Sequence, residues 1–253
     1  MNVMIAERHA ANETAGASFA RIFPGLSHFE LVALQNLPSV RRFVGRGTRI
    51  TSENQKLEKL RLILRGWVMK SVVLPGNRRQ IIGFTLPGNL EGLHGGLRQS
   101  TTCDVTTLTR CEIAEFSMQD VLRLSNDHPG IAAGFRMFMA REAAILGDQV
   151  LRLGRMTAYE RLCHFLLETF DRQNPDERDR ATVEFPLTQS IVADALGLSV
   201  VHVNRQVMRL RQEGLLDMDR RSLTIYDVAR LQTISGYKSR QIDSVPEYIG
   251  AAE

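Results

Sequence analysis

The sequence predicts an α+β chain in three parts. A β-roll spans residues 18–128, a long helix spans 129–154, and a winged helix-turn-helix spans 155–240. Three observations predict it. From Val40 to Phe116, short apolar runs alternate with glycine and proline turns at near-regular spacing, the pattern of an all-β barrel or roll. From Pro129 to about Leu153, apolar residues recur at the helical period. The block Thr188–Gly214 reads as two short helices joined by a tight turn.

In the first part, Phe19, Ile22 and Phe23 suggest a short helix that Pro24-Gly25 ends. Ser27 and Glu30 form a capping box that opens a helix through Leu31, Leu34 and Leu37, closed by Pro38. The strand-like runs are Arg41–Val44, Arg49–Ile50, Leu60–Leu64, Trp67–Val73, Gln80–Leu86, Val105–Leu108 and Cys111–Phe116. Ser117 is placed to cap a helix over Met118–Ser125. Such a roll serves equally as scaffold or as a small-ligand holder.

The long helix begins at Pro129, a residue suited to a first helical position. Met139, Leu146 and Leu153 stand seven apart, with Phe135, Phe138, Ala143, Ile145 and Val150 beside them. At 1.5 Å per residue such a helix is nearly 40 Å long, too long to be covered by one small roll. Its seam therefore predicts a homodimer through residues 131–153. Gly154 reads as a hinge. Thr157 and Glu160 form a second capping box, opening a helix with Leu162, Phe165, Leu166 and Phe170. Val183–Phe185 reads as an edge strand.

In the last part, Thr188 can cap the first short helix, and Ile191, Val192, Ala195 and Leu196 follow at helical spacing. Ala193 is small where a second helix crosses. Gly197 favours the left-handed turn that ends the first helix. Ser199 can cap the second helix, and Val203, Val207 and Leu210 mark its buried face. His202, Arg205 and Arg209, with Asn204 beside them, make a polar face able to reach base edges and phosphates. One helix bracing across the backbone and a second in the major groove is how a helix-turn-helix meets double-stranded DNA. An αα-hairpin with a solvated charged face is the plainer reading, but it does not call for the small residue, turn glycine and second cap at these offsets. Leu215–Met218 and Leu223–Tyr226 around Asp219-Arg220-Arg221-Ser222 read as a hairpin, the wing. Asp227 can cap a last helix.

Composition narrows the function. With 43% hydrophobic and 24% charged residues in 253, the chain has an ordinary globular balance. Before Arg155 it carries 19 basic and 13 acidic residues, and from there 13 and 15. DNA binding must therefore rest on placed arginines rather than on bulk charge. Three scattered cysteines, Cys103, Cys111 and Cys163, suggest no disulfide framework or zinc site and fit a reducing compartment. Without a signal-like or membrane-spanning apolar run, the expected location is the cytoplasm. No nucleophile–base set or phosphate loop is present, so no enzyme is expected, and no cofactor.

The order of parts, with Leu64-Arg65-Gly66, Leu86-Pro87-Gly88-Asn89, Cys111-Glu112-Ile113-Ala114-Glu115 and His202-Val203-Asn204-Arg205 ahead of Leu210–Leu215, resembles the Crp/Fnr superfamily of bacterial transcription regulators. The resemblance implies a homodimer that binds a near-palindromic operator, with RNA polymerase as a partner. It puts Arg205 on the recognition-helix arginine, and Val200 and Val201 where the cyclic-AMP receptor branch has arginine and glutamate. Thr188, Gln189, Ser199 and Arg209 fall on phosphate-contacting positions. It also implies an effector pocket at Gly92, Leu93, Arg98, Thr101 and Thr102. There the ribose-binding Gly-Glu pair becomes Gly92-Leu93 and the phosphate-binding Arg-Ser pair becomes Thr101-Thr102. A cyclic phosphate needs a guanidinium or clustered N–H donors, so the usual cyclic-AMP pocket is not expected unless Arg98 substitutes. No cysteine occurs in residues 1–100, which excludes the N-terminal iron–sulfur cluster of the Fnr branch. The other reading is a small-ligand sensor whose winged helix contacts a protein, suggested by the acidic C-terminal half.

Overall fold

The computed structural model describes residues 16, 18–93, 100–173, 182–219 and 221–240. It divides into two compact units. One comprises residues up to 70 and 84–143, and the other comprises 71–83 and 144–240.

The strands of the roll are β1 Ser39–Val44, β2 Arg49–Thr51, β3 Lys59–Arg65, β4 Val68–Leu74, β5 Arg78–Thr85, β6 Leu90–Glu91, β7 Asp104–Thr107 and β8 Cys111–Ser117. They make two four-stranded sheets, ordered β1-β8-β3-β6 and β2-β7-β4-β5. In the first sheet Leu60 stands opposite Phe116 and Leu62 opposite Ala114. Alternation along each strand puts Leu60, Leu62, Leu64, Ala114 and Phe116 on one face. There they pack with Phe19, Phe23, Leu34, Val121, Ile131, Phe135 and Phe138. The other face carries charge. Arg61 donates from Nε to Glu115 (2.9 Å) and from Nη1 to Thr51 Oγ1 (2.8 Å), while Lys59 Nζ donates to Glu115 (2.7 Å). Burial alone would raise the Glu115 pKa, but these cations hold it below the usual carboxylate range.

The predicted strands are present with shifted ends, and β6 is an addition. Two residues are too few to show a period of two. Helix α1, His28–Gln35, starts with the expected capping box at Ser27. Helix α2, Met118–Asp127, runs two residues further than predicted, and the Ser117 side chain makes no cap hydrogen bond.

The long helix, α3, runs Pro129–Arg155. The expected hinge at Gly154 is not a break. The helix passes through it, and a Cβ there would meet nothing within 4 Å. The helix ends at Met156–Thr157, where Thr157 Oγ1 accepts from the Glu160 N–H, the Glu160 carboxylate accepts from the Thr157 N–H, and Arg161 Nε donates to the Met156 carbonyl at 2.9 Å. Capping, rather than glycine, sets the end. The predicted seam also divides. Ile131, Phe135 and Phe138 are buried in the roll's core. Further along, Leu146, Val150 and Leu151 are 52%, 66% and 47% exposed.

The second unit contains α4 Ala158–Asp171, β9 Thr182–Glu184, α5 Gln189–Leu196, α6 Val200–Gln212, β10 Leu216–Met218, β11 Ser222–Ile225 and α7 Val228–Ser235. A buried polar network ties the end of α3 to α4 and to residues 237–240. Arg152 donates to Glu168, to His164 Nδ1 (3.1 Å) and twice to Gln149 Oε1 (3.0 and 2.7 Å). Arg240 donates twice to Asp148 (2.9 and 2.7 Å), and the Tyr237 hydroxyl donates to Asp171 (2.8 Å).

Burial, then the Arg152 guanidinium, holds the His164 pKa below the usual imidazole range, against the pull of Asp148 and Glu168. Folded His164 is therefore neutral where its unfolded counterpart takes a proton, near pH 6.5. The unfolded state then binds more protons, so stability falls as pH drops through that range, by up to about 1.4 kcal/mol per unit. Burial raises the Asp148 pKa, yet its bonds to Arg240 leave it lowered overall, so its contribution is lost only at more acidic pH. Urea unfolding between pH 7.5 and 5.5 is expected to show the slope, and His164→Asn to flatten it. An equal slope in the variant would remove His164 as the cause.

Candidate nucleic-acid interface

The two-helix element forms where the caps fall. Thr188 Oγ1 accepts from the Ile191 N–H (3.3 Å), and Ser199 Oγ accepts from the His202 N–H (3.2 Å). Gly197 stands between the helices at φ +62°, a left-handed conformation that a side chain disfavours. Gly197→Ala is expected to lower stability by about 1 kcal/mol, and Ser199→Ala by a similar amount through loss of a cap, both read by chemical denaturation.

The back of α6 is locked. Val203, Val207 and Leu210 are essentially fully buried, as are Val192, Ala195 and Leu196 of α5. Gln206 is also buried, at 8% exposure, although its amide would ordinarily favour water. The last carbonyls of α5 have no partner within the helix. Gln149 Nε2 donates to the Ala195 carbonyl (2.6 Å), and Arg161 Nη1 donates to the Leu196 carbonyl (3.0 Å). Asp194 accepts from Arg79 Nε and Nη2 at 2.9 and 2.6 Å. The brace is thus fixed from several sides by long-range contacts.

The front of α6 is open. Val200, Val201, His202, Asn204, Arg205, Met208, Arg209 and Arg211 are exposed. Residues 201, 205 and 208, at i, i+4 and i+7, share one line along the helix, opposite the buried line of Val203, Val207 and Leu210. His202 and Arg209 lie on one flank and Asn204 on the other. Gln189 Nε2 donates to Asn204 Oδ1 (3.3 Å), which orients that amide from α5.

Arg209 is engaged within the protein. Its Nε donates to Glu213 Oε1 (2.7 Å) and its guanidinium lies 4.0 Å from the Tyr159 ring centroid, while the Tyr159 hydroxyl donates to the same Glu213 carboxylate. Those bonds hold the Glu213 pKa low, and burial followed by the Glu213 bond raises that of Tyr159. The sequence reading missed Tyr159 and Glu213. The i, i+4 spacing of Arg209 and Glu213 was a signal for half of this cluster. Met208 was missed as well, though its spacing from Val201 and Arg205 was legible.

The wing is a three-stranded sheet, β10-β11-β9, with Leu216 opposite Ile225 and Leu223 opposite Val183. Arg211 donates to Asp217 (2.9 Å) and to the Met218 carbonyl, joining α6 to the wing. Arg221 is exposed, and its carbonyl accepts from the Phe185 N–H. Arg220 lies outside the described residues.

The residues of the expected effector pocket are placed as follows. Leu93 is buried in the apolar core. A Cβ on Gly92 would stand 2.8 Å from the Lys59 carbonyl oxygen. The Thr101 hydroxyl donates to the Ser52 carbonyl (2.6 Å). Thr102 is exposed, and Arg98 lies outside the described residues. Cys163 is fully buried on α4, and that burial raises its pKa to about 12, which favours the protonated thiol.

A rod anchored from behind by valines, presenting an arginine between two flanks of donors and followed by a wing, is a winged helix-turn-helix DNA-binding domain. Residues 160–234 match the Crp-like helix-turn-helix domain and residues 41–128 match the cyclic nucleotide-binding domain. The transcriptional activatory protein AadR of Rhodopseudomonas palustris is 30% identical over 184 residues, covering 73% of this chain and 76% of that one. The nitrogen fixation regulation protein FixK of Bradyrhizobium diazoefficiens is 27% identical over 190 residues, covering 75% and 79%. The structure of FixK2 from Bradyrhizobium japonicum shares the fold at a TM-score of 0.72 and 24% identity, covering 80% of this chain and all of that one. The chain belongs to the Crp/Fnr family of transcription regulators. Its relatives are regulators, not enzymes. Among the described residues, no helix is long and apolar enough to cross a membrane.

Proposed function

We propose that the chain acts as a homodimer, and that two copies of α6 enter successive major grooves of a near-palindromic operator. Arg205 takes a guanine. His202 and Asn204 serve neighbouring base edges or phosphates, and Thr188, Gln189 and Ser199 serve the backbone. Arg209, tied to Glu213 and Tyr159, positions α6 more than it reads DNA. The observation that carries this reading is the outward exposure of Arg205 on a helix whose opposite line is buried.

The two-fold mate is argued from α3. Ala143, Leu146, Gly147, Val150, Leu151 and Gly154 are exposed and recur at i, i+3, i+4, i+7, i+8 and i+11. That apolar and small-residue stripe is what helix pairing buries. Gly92-Leu93 and Thr101-Thr102 supply neither carboxylate nor guanidinium, so cyclic AMP is not the expected signal unless Arg98 substitutes. Regulation then follows from another effector or from abundance. The activators among its relatives favour contact with RNA polymerase, and DNA as target places the protein in the cytoplasm.

The test is selection of bound duplexes from random sequence with the purified full chain. An inverted repeat with half-sites about 34–36 Å apart is expected. Binding to DNA without sequence preference, at a steep salt slope, would defeat the proposal.

A further inference from the structure

We infer that α6 reads thymine by its methyl group, through Val201 and Met208 on either side of Arg205. The inference rests on the DNA-binding reading above and names what the apolar part of that surface recognises. Val201 is 76% exposed and Met208 is 45% exposed. Isolated apolar side chains on a surface are ordinary. These two are not scattered, since they share the outward line of α6 with Arg205 between them.

The groove chemistry then decides the ligand. Base edges in the major groove offer donors, acceptors and one apolar group, the C5 methyl of thymine. An apolar residue facing a cytosine or purine edge would cover a polar atom without pairing it, which costs affinity. Facing thymine, it buries methyl against methyl. Distances agree: at about 1.5 Å per residue, Val201 lies roughly 6 Å along the axis from Arg205 and Met208 roughly 4.5 Å the other way. Base pairs step by about 3.4 Å. Both side chains therefore fall within about two base pairs of the guanine under Arg205.

The two residues suit different tasks. Val201 is in the first turn after the Ser199 cap, at the helix end that meets base edges in this class of motif. Its branched Cβ restricts it to few rotamers, so its methyls are held in place. Met208 is flexible and adapts to the neighbouring step. Arg205, exposed at the centre of the stripe, favours a polyanion over an apolar protein partner for it.

The experiment uses operators selected by the full-length chain. Each thymine of the half-site is replaced in turn by deoxyuridine, which keeps the pairing and the O4 acceptor and lacks only the methyl. At one or two positions within two base pairs of the Arg205 guanine, affinity should fall about fourfold per buried methyl, and about 15-fold with both half-sites substituted. Val201→Ala should bind thymine and deoxyuridine equally at one such position and keep its preference elsewhere, and Met208→Ala should do so at the other. A selected operator bound equally well with deoxyuridine at every position overturns this inference alone. So does a Val201→Ala variant that still discriminates at every position where the unaltered chain does. Failure to select any duplex, with the stripe covered by a protein instead, overturns the DNA reading and this inference with it.

Discussion

Arg205→Ala is expected to abolish specific operator binding while leaving the fold intact. A bidentate arginine–guanine contact supplies about 1–3 kcal/mol of discrimination, and a dimer makes it twice, so about 2–6 kcal/mol per complex is at stake. Among the described residues Arg205 has no hydrogen-bond or ion-pair partner, and its side chain is exposed. Its removal should therefore change unfolding free energy by no more than about 0.5 kcal/mol. Lysine should rescue nonspecific binding but not specificity, because a point charge lacks the planar fork. Arg209→Ala gives the contrast. It removes the contacts to Glu213 and Tyr159, so it should lower stability and shift affinity without relaxing the choice of base. Gel shifts and thermal unfolding on both variants separate the roles. Unchanged operator affinity in Arg205→Ala would remove that residue from the interface.

Val150→Glu is expected to convert the proposed dimer to monomer. Val150 is 66% exposed in the single chain, with Leu146 one turn before it and Leu151 beside it. Folding of one chain therefore does not need the valine. In a symmetric helix pair the substitution places two unpaired carboxylates in an apolar seam, at a cost of at least about 3 kcal/mol, or on the order of a hundredfold in the dimer's Kd. Sedimentation should report monomer at concentrations where the unaltered chain is dimeric, with unchanged helical circular dichroism. Operator affinity should fall as well, since one head cannot hold two half-sites. A variant that stays dimeric would place the dimer interface elsewhere.

Local chemistry was readable in advance. Ser27, Thr157, Thr188, Ser199 and Asp227 all cap the helices they were expected to cap, because capping depends on residues three apart. Gly197 turns left-handed for the same kind of local reason. The hinge at Gly154 failed because a glycine permits a break without requiring one. Where helix α3 stops was decided by the Thr157 box and the Met156 carbonyl.

The long-range pairings were not readable. Asp148, Arg152, His164 and Glu168 look like surface residues in the sequence, yet they form a buried network that the exposed Arg240 closes through Asp148. Nothing in the sequence pairs Arg209 with Tyr159, fifty residues upstream. No periodicity encodes such pairs, since they depend on which helix crosses which.

The sequence by itself determined the order of roll, long helix and winged head, most of the caps and turns within them, and most of the residues on the outward side of the recognition helix. Caps, periods and turn chemistry act over a few residues and survive in any window of the chain. Only the tertiary structure decided which outward residues remain exposed, which are taken up by partners in the protein, and which half of the long helix is left bare. Those are questions of burial, and burial is set by contacts between segments far apart in the chain.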